Sequence, residues 1–143
     1  MAQTNAWQGY IDSLTSDNLC RDAVIIGIEG TPAIWASVPS GNFSQITPEQ
    51  VKAVIGENRA PILQNGIVLG SRKYTVVRDC LHCDCFLDIK SKCIAPNDEA
   101  CSATISKSNK VLVIVEARSS KEPAGCMNKR AFDMAEHLSK SGF

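Results

Sequence analysis

"CRDAVIIGIEGTPAIWASV", residues 20–38, contains two apolar runs on either side of a turn signal. The first run, up to Gly30, predicts a buried strand, and the second, from Pro32, predicts a strand that returns beside it. The Glu-Gly-Thr-Pro segment between them is typical of a tight turn. The stretch therefore predicts a β-hairpin, with Trp35 on its second strand.

Further strands are predicted along most of the chain after residue 60. "PILQNGIVLG" (61–70) contains Asn65-Gly66, a strong hairpin-turn signal. Short polar connections then separate the runs "KYTVVRDC" (73–80), "CFLDIKSK" (85–92), "ACSATISKS" (100–108) and "KVLVIVEAR" (110–118). Strands joined by short turns favour a mostly antiparallel sheet.

Three helices complete the predicted order, at 4–15, 46–58 and 126–140. The second begins with Thr47, Pro48 and Gln50, which form a capping box with proline at the first helical position. The third is amphipathic, since Met127, Ala131, Met134 and Leu138 fall on one face. We expect an α+β fold in which the N- and C-terminal helices pack side by side on one face of the sheet.

The composition is that of an ordinary globular protein. The 143 residues, 44% of them apolar, predict one domain over 1–143. Because 15 Lys and Arg balance 15 Asp and Glu, no overall field attracts nucleic acid or membrane. The first residues, "MAQTNAWQGY", lack the basic and apolar regions of a secretory signal, and seven cysteines are an odd number, so we expect a cytoplasmic protein with reduced thiols.

The cysteine-rich segment "CLHCDC" (80–85) raises the question of a metal site. Its spacing is too crowded for a structural zinc site, and Cys93 and Cys101 stand alone, so we predict a hairpin tip with partly exposed thiols and no metal. Oxidation sensitivity or metal handling remains an alternative function. Catalysis is not expected, because His82 and His137 are the only histidines and no nucleophile motif or phosphate loop is present.

The aromatic residues suggest a different kind of site. If the terminal helices pack over the strand that carries Trp35, five side chains converge, and those at helix margins would line a surface groove. A groove of aromatic rings with polar edges is suited to a polyproline II ligand. The alternative is that the large rings are ordinary core residues. The predicted groove consists of Trp7, Tyr10, Trp35, His137 and Phe143.

Five segments in register along nearly the whole chain resemble the profilin family, in its longer vertebrate type. They are "NAWQGYIDSL", "DAVIIGIEGTPAIWASVP", "ITPEQVKAVIG", "NGIVLGSRKYTVVRD" and "GCMNKRAFDMAEHL". The resemblance implies a seven-stranded sheet with two helices on each side. It also implies a non-enzymatic cytoskeletal adaptor, without a cofactor, that regulates actin polymerisation. Its partners would be monomeric actin, proline-rich segments of cytoskeletal regulators and phosphatidylinositol phosphate headgroups.

Carried over by position, the resemblance gives the same five residues for the proline groove. It also implies an actin-binding surface that comprises Lys73, Val76, Arg78, Lys90, Lys92, Gly125, Asn128, Lys129, Phe132 and Asp133.

Three departures from the family pattern bear on these expectations. Phe143 stands where the family typically ends in tyrosine, and the 80–86 hairpin is short and rich in cysteine. Before Asn128 and Lys129, the segment 121–124 contains Glu122 and Pro123 instead of an apolar residue and a histidine. Because Glu122 would place a negative charge against an acidic partner, we expect weaker actin binding with polyproline binding nearly intact.

Overall fold

The computed structural model describes residues 2–16, 18–92 and 100–143, with only the backbone described at 2–6 and 124. Five α-helices occur in these ranges: α1 (Ala2–Thr15), α2 (Pro48–Ile55), α3 (Ala60–Asn65), α4 (Leu81–Asp84) and α5 (Ala124–Lys140). A short 3-10 helix spans Asn42–Gln45.

The strands form one antiparallel sheet of seven, as the resemblance implied. They are β1 (Cys20–Gly27), β2 (Ala33–Ser37), β3 (Ile67–Leu69), β4 (Arg72–Cys80), β5 (Phe86–Ser91), β6 (Ser102–Lys107) and β7 (Val111–Ala117). Their order across the sheet is β2-β1-β7-β6-β5-β4-β3. The predicted hairpin is β1–β2, and its ladder contains a bulge between Ile25 and Ile26.

A hydrophobic core lies on each face of the sheet. On one face, α1 and α5 pack together through side chains such as Ile11, Leu14 and Met127 against Ile25 and Val113. On the other face, the 3-10 helix and α2, α3 and α4 contribute Phe43, Val51, Val54, Ile62 and Leu81. The arrangement confirms the predicted α+β class and the pairing of the terminal helices. Among the described residues, no helix combines the length and the apolar character required to cross a bilayer.

The predicted capping box at the start of α2 is present. The Gln50 amide donates to Thr47 Oγ1 over 3.2 Å, and the Thr47 amide donates to Gln50 Oε1 over 3.1 Å. The helix ends before Gly56.

The hairpin turn predicted at Asn65-Gly66 is wrong. Residues 60–65 form α3, and Gly66 ends this helix at φ 76°, with its amide donating to the Ile62 carbonyl over 2.9 Å. The turn between β3 and β4 lies instead at Gly70, where φ is 63°. A glycine with positive φ terminates helices as readily as it turns hairpins, so the local signal did not distinguish the two.

A buried polar network connects the sheet to the 3-10 helix. The Glu116 carboxylate accepts hydrogen bonds from the Tyr74 hydroxyl and from Arg21 Nε, and these contacts satisfy a charge that is removed from solvent. Asp22 accepts from the Phe43 amide over 2.9 Å and from the Ala23 amide over 3.0 Å. Burial outweighs these hydrogen bonds and raises the pKa of Asp22 to about 6.

Candidate functional site

The five predicted aromatic residues form one continuous cluster, here called the aromatic cluster. The Trp7 ring centroid lies 4.8 Å from that of Trp35, 4.9 Å from that of Phe143 and 5.5 Å from that of Tyr10. Tyr10 in turn lies 5.8 Å from His137, and Trp35 lies 6.0 Å from Phe143. The structure therefore brings together every member of the set, from α1, β2, α5 and the segment after α5.

The members of the aromatic cluster lie partly in the core and partly at the surface. Trp7, Tyr10, Trp35 and Phe143 are half-buried and pack against the core beneath α1 and α5, whereas His137 is exposed. The inner side of the cluster is thus held by packing against the core, while its outer side faces solvent. This arrangement suits a rigid recognition surface, because the bound conformation needs little further ordering.

Hydrogen bonds to backbone groups hold the segments that carry the rings. Gln8 Nε2 donates to the Ser37 carbonyl over 3.1 Å and so joins α1 to β2. The Phe143 amide donates to the Leu138 carbonyl over 2.8 Å, and the Phe143 backbone oxygen accepts from Ser108 Oγ over 3.0 Å.

Gly27 is a positioning residue that the sequence did not reveal. The Trp35 indole lies directly over Gly27, and a Cβ atom at this position would stand only 2.4 Å from Trp35 Cε2. A glycine is therefore required for the indole to lie flat on β1. The only signal in the sequence is an isolated glycine inside a strand pattern, which indicates a close approach without naming the neighbour.

The second predicted set is drawn from β4, from β5 and the residue after it, and from α5, and we call it the sheet–helix surface. Arg78 pairs with Asp88 across the β4–β5 ladder, and Lys90 is two residues further along β5, so both basic side chains lie on the face that carries α5. The Lys92 amide donates to the Lys73 carbonyl over 3.0 Å, which places two more exposed lysines side by side.

Asp88 connects the two halves of the sheet–helix surface. Its carboxylate pairs with Arg78 Nη2 at 3.1 Å and accepts from Asn128 Nδ2 and Thr104 Oγ1, each over 2.9 Å. The Arg78 guanidinium also lies over the Phe86 ring, 4.7 Å from its centroid. A buried carboxylate thus orients one cation of β4 and one amide of α5.

The helical part of this surface is a single stripe on α5. Gly125, Asn128, Lys129, Phe132 and Asp133 follow helical spacing and are exposed or half-buried, and Phe132 is 37% exposed. Lys129 Nζ lies 2.8 Å from Asp133 Oδ2, and this hydrogen bond, followed by the Asp133 charge, raises the pKa of Lys129. Phenylalanine is one of the residue types that are enriched in protein interfaces.

Val76 does not join the other members of the predicted set. It pairs with Ile89 and packs against the core on the α2 and α3 side, so its side chain lies on the opposite face of the sheet from Lys90. Alternation along β4 changes at a bulge between Val76 and Arg78, which the sequence does not display.

Glu122 is not the free negative charge that the sequence led us to expect. Its side chain is only 15% exposed, and Oε1 lies 3.5 Å from Arg118 Nη2. Pro123 immediately precedes α5, which begins at Ala124, two residues earlier than predicted. The segment 121–124 therefore ends in the first turn of a helix, and its acidic residue is paired within the chain.

The cysteine-rich segment forms the predicted hairpin tip. The single turn α4 connects β4 to β5, and Cys80, Cys83 and Asp84 have their ligand atoms within 4.8 Å of one another. Cys101 is buried, and Cys93 lies outside the described residues. The two histidines are separated: His82 Nε2 lies 3.1 Å from the Gly56 carbonyl, and His137 contacts Tyr10.

Comparison with known proteins gives one family. The profilin family model matches residues 5–143. Human Profilin-1 is 34% identical over 139 residues, which cover 96% of this chain and 98% of the relative.

Solved structures agree with this assignment. Rat profilin 2a superimposes with a TM-score of 0.92 at 34% identity, covering 98% of this chain and 99% of its own. Mouse profilin IIa in complex with a double repeat from the FH1 domain of mDia1 gives a TM-score of 0.89 at 34% identity, covering 96% and 99%. The chain belongs to the profilin family.

Proposed function

We propose that this protein binds proline-rich peptides through the aromatic cluster and monomeric actin through the sheet–helix surface. It would act as a non-enzymatic cytoskeletal adaptor that regulates actin polymerisation in the cytoplasm. The observation that carries the proposal is the continuous contact of five rings drawn from both terminal helices and the first hairpin. Membership of the profilin family supports both activities.

The chemistry of the aromatic cluster suits a polyproline II helix. Such a helix has no internal hydrogen bonds and is already extended, so little conformational entropy is lost when it binds. Its pyrrolidine rings can lie on the indoles of Trp7 and Trp35, while its carbonyl oxygens can accept from the Tyr10 hydroxyl and the indole N–H groups. A solved relative, mouse profilin IIa, holds a double FH1 repeat of mDia1, which supports this ligand class.

The sheet–helix surface suits an acidic protein partner. It combines exposed cations on β4 and β5 with Phe132, which supplies an apolar contact. Charges of this kind steer association and are screened by salt, so actin affinity should fall as ionic strength rises. The pair Lys73 and Lys92 would also attract phosphoinositide headgroups, and we include these lipids as a further ligand class.

Since the Glu122 carboxylate is paired with Arg118, we do not expect its charge to repel actin and reduce the affinity. We therefore do not retain weakened actin binding as an alternative on electrostatic grounds.

Two variants test the two surfaces separately. Trp35→Ala should weaken binding to a polyproline peptide by at least about tenfold and leave affinity for labelled monomeric actin unchanged. Lys90→Glu should weaken actin binding several-fold at low salt and leave polyproline binding unchanged.

The matched control is Lys52→Glu, which makes the same charge change at an exposed position of α2, a helix on the opposite face of the sheet. It should affect neither ligand. If Trp35→Ala binds polyproline normally, the aromatic cluster is not the proline site. If Lys90→Glu and Lys52→Glu weaken actin equally, the effect is one of net charge and not of a surface.

A further inference from the structure

Cys80 and Cys83 occupy two positions that a helical turn brings together. Cys80 is the last residue of β4 and the residue that precedes α4, and Cys83 is the third residue of α4. Thr47 and Gln50 have the same relative positions at the start of α2, where the side chain of the first reaches the third helical residue. The segment is thus a Cys-x-x-Cys sequence at the start of a helical turn, an arrangement found in thiol–disulfide active sites.

The two thiols lie close together. The two sulfur atoms lie within 4.8 Å of one another. Cys83 Sγ also lies 3.6 Å from the Cys80 carbonyl oxygen, to which it donates. Cys83 is exposed and Cys80 is half-buried, so side-chain rotation at the surface can bring the sulfurs to the bonding distance of about 2 Å.

Neighbouring groups favour a disulfide over a structural metal site. Asp84 supplies the third potential ligand atom of the group, whereas structural zinc sites take four protein ligands. Within the described residues, the adjacent His82 is directed away from the group, because its Nε2 lies 3.1 Å from the Gly56 carbonyl and 3.4 Å from Arg59 Nη1.

We propose that Cys80 and Cys83 form a reversible intramolecular disulfide by exchange with a low-molecular-weight disulfide such as oxidised glutathione. The exposed Cys83 thiolate attacks one glutathione sulfur, the glutathione S–S bond breaks, and one glutathione thiolate leaves. The Cys80 thiolate then attacks the Cys83 sulfur of this mixed disulfide and displaces the second glutathione. Each protein thiol gives up one proton, each released glutathione takes one up, and the two protein sulfurs are oxidised as one glutathione disulfide is reduced.

The order of attack follows from the environment of the pair. Burial, followed by the hydrogen bond and charge of Cys83, raises the pKa of Cys80. Since Cys83 is exposed and Cys80 is half-buried, Cys83 meets the glutathione first and Cys80 acts second. The closed ring would join the end of β4 to α4 beside the Cys80–Phe86 pair of the β4–β5 ladder. This redox site is separate from the ligand-binding activities proposed above.

Peptide mass spectrometry tests the proposal directly. The reduced full-length chain is equilibrated in glutathione buffers of increasing oxidised fraction, acid-quenched, alkylated and digested with trypsin. Cleavage after Arg78 and Lys90 gives peptide 79–90, which contains Cys80, Cys83 and Cys85. We expect this peptide to lose two hydrogen atoms and to carry one alkyl group, on Cys85.

Variants identify the bonded pair. In Cys85→Ser, the disulfide should form at the same glutathione buffer composition as in the wild type, whereas Cys83→Ser should abolish its formation. In Cys80→Ser, which retains Cys83 and Cys85, we expect the equilibrium constant for ring closure to be at least about tenfold smaller than in the wild type.

Three results would overturn the proposal. They are a bond that involves Cys85, a disulfide-linked dimer formed in the same buffers, and a glutathione adduct on Cys83 that persists without ring closure. Zinc that stays bound in stoichiometric amount through reducing purification, and protects these thiols from alkylation until a chelator is added, would assign the group to a metal instead.

Discussion

Gly27→Ala should disable the aromatic cluster with the addition of a single methyl group. The new Cβ would lie 2.4 Å from the Trp35 ring, whereas carbon atoms in contact are normally about 3.5–4.0 Å apart. The strand backbone at residue 27 has negative φ and accepts alanine, so the strain falls on the indole. The Trp35 ring must therefore leave β1 by more than about 1 Å.

The expected magnitude follows from the contacts that this displacement breaks. Trp35 lies 4.8 Å from Trp7 and 6.0 Å from Phe143, and aromatic pairs of this kind contribute about 0.5–1.5 kcal/mol each. Overpacking in a well-packed region costs about 1–3 kcal/mol. We expect the free energy of unfolding to fall by about 1–3 kcal/mol and the dissociation constant for a polyproline peptide to rise at least about tenfold.

Isothermal titration calorimetry with a polyproline peptide measures the affinity independently of tryptophan fluorescence, and urea unfolding measures the stability. Gly9→Ala is the matched control, since a Cβ atom at Gly9 has no neighbour within 4 Å. That variant should keep wild-type affinity and gain up to about 1 kcal/mol of stability from helix propensity. If Gly27→Ala and Gly9→Ala both bind as the wild type does, the position of the Trp35 ring does not determine proline recognition.

Three further predictions concern buried and paired charges. Because burial raises the pKa of Asp22 from 3.8 to about 6, its contribution to stability is complete below pH ~4 and is lost as the pH rises through 6, by up to about 3 kcal/mol. Urea unfolding at a series of pH values should show this loss in the wild type and not in Asp22→Asn; parallel profiles would contradict it. Tyr74→Phe removes a donor to the buried Glu116 carboxylate and should lower the free energy of unfolding by about 1–3 kcal/mol with unchanged polyproline affinity, whereas a loss below about 0.5 kcal/mol would mean that the network is not required. Glu122→Gln should change the affinity for labelled monomeric actin by less than about threefold at low salt, since its charge is paired with Arg118; a clear gain in affinity would restore the repulsion argument.

Local patterns were sufficient to predict the elements that assemble the aromatic cluster. Helical spacing of apolar residues predicted the helices at 4–15 and 126–140, and two apolar runs on either side of a turn signal predicted the first hairpin. The side-by-side packing of the two terminal helices was also expected. The same local reasoning failed at residues 60–66, where a proline and a glycine mark a helix as well as they mark a turn. It also missed the bulge that separates Val76 from Arg78.

Features that depend on distant partners could not be predicted. Asp22 and Glu116 stand in strands where a polar residue normally indicates the solvated face, and only the sheet order shows that both are buried. Gly27 becomes informative once the β1–β2 register places Trp35 above it. The pairing of Glu122 with Arg118 depends on the turn between β7 and α5, whose conformation is not encoded by any one residue type.

The shared carboxylate of Asp88 has a consequence for mutational scanning of the sheet–helix surface. Arg78, Thr104 and Asn128 all contact this one group, so removal of any of them alters the environment of the others. Energetic effects of substitutions add only where the sites share no partner. A double-mutant cycle between Arg78 and Asn128 should therefore show non-additivity, even though one side chain belongs to a strand and the other to a helix. The sum of the effects of single substitutions would then overestimate the contribution of this surface to binding.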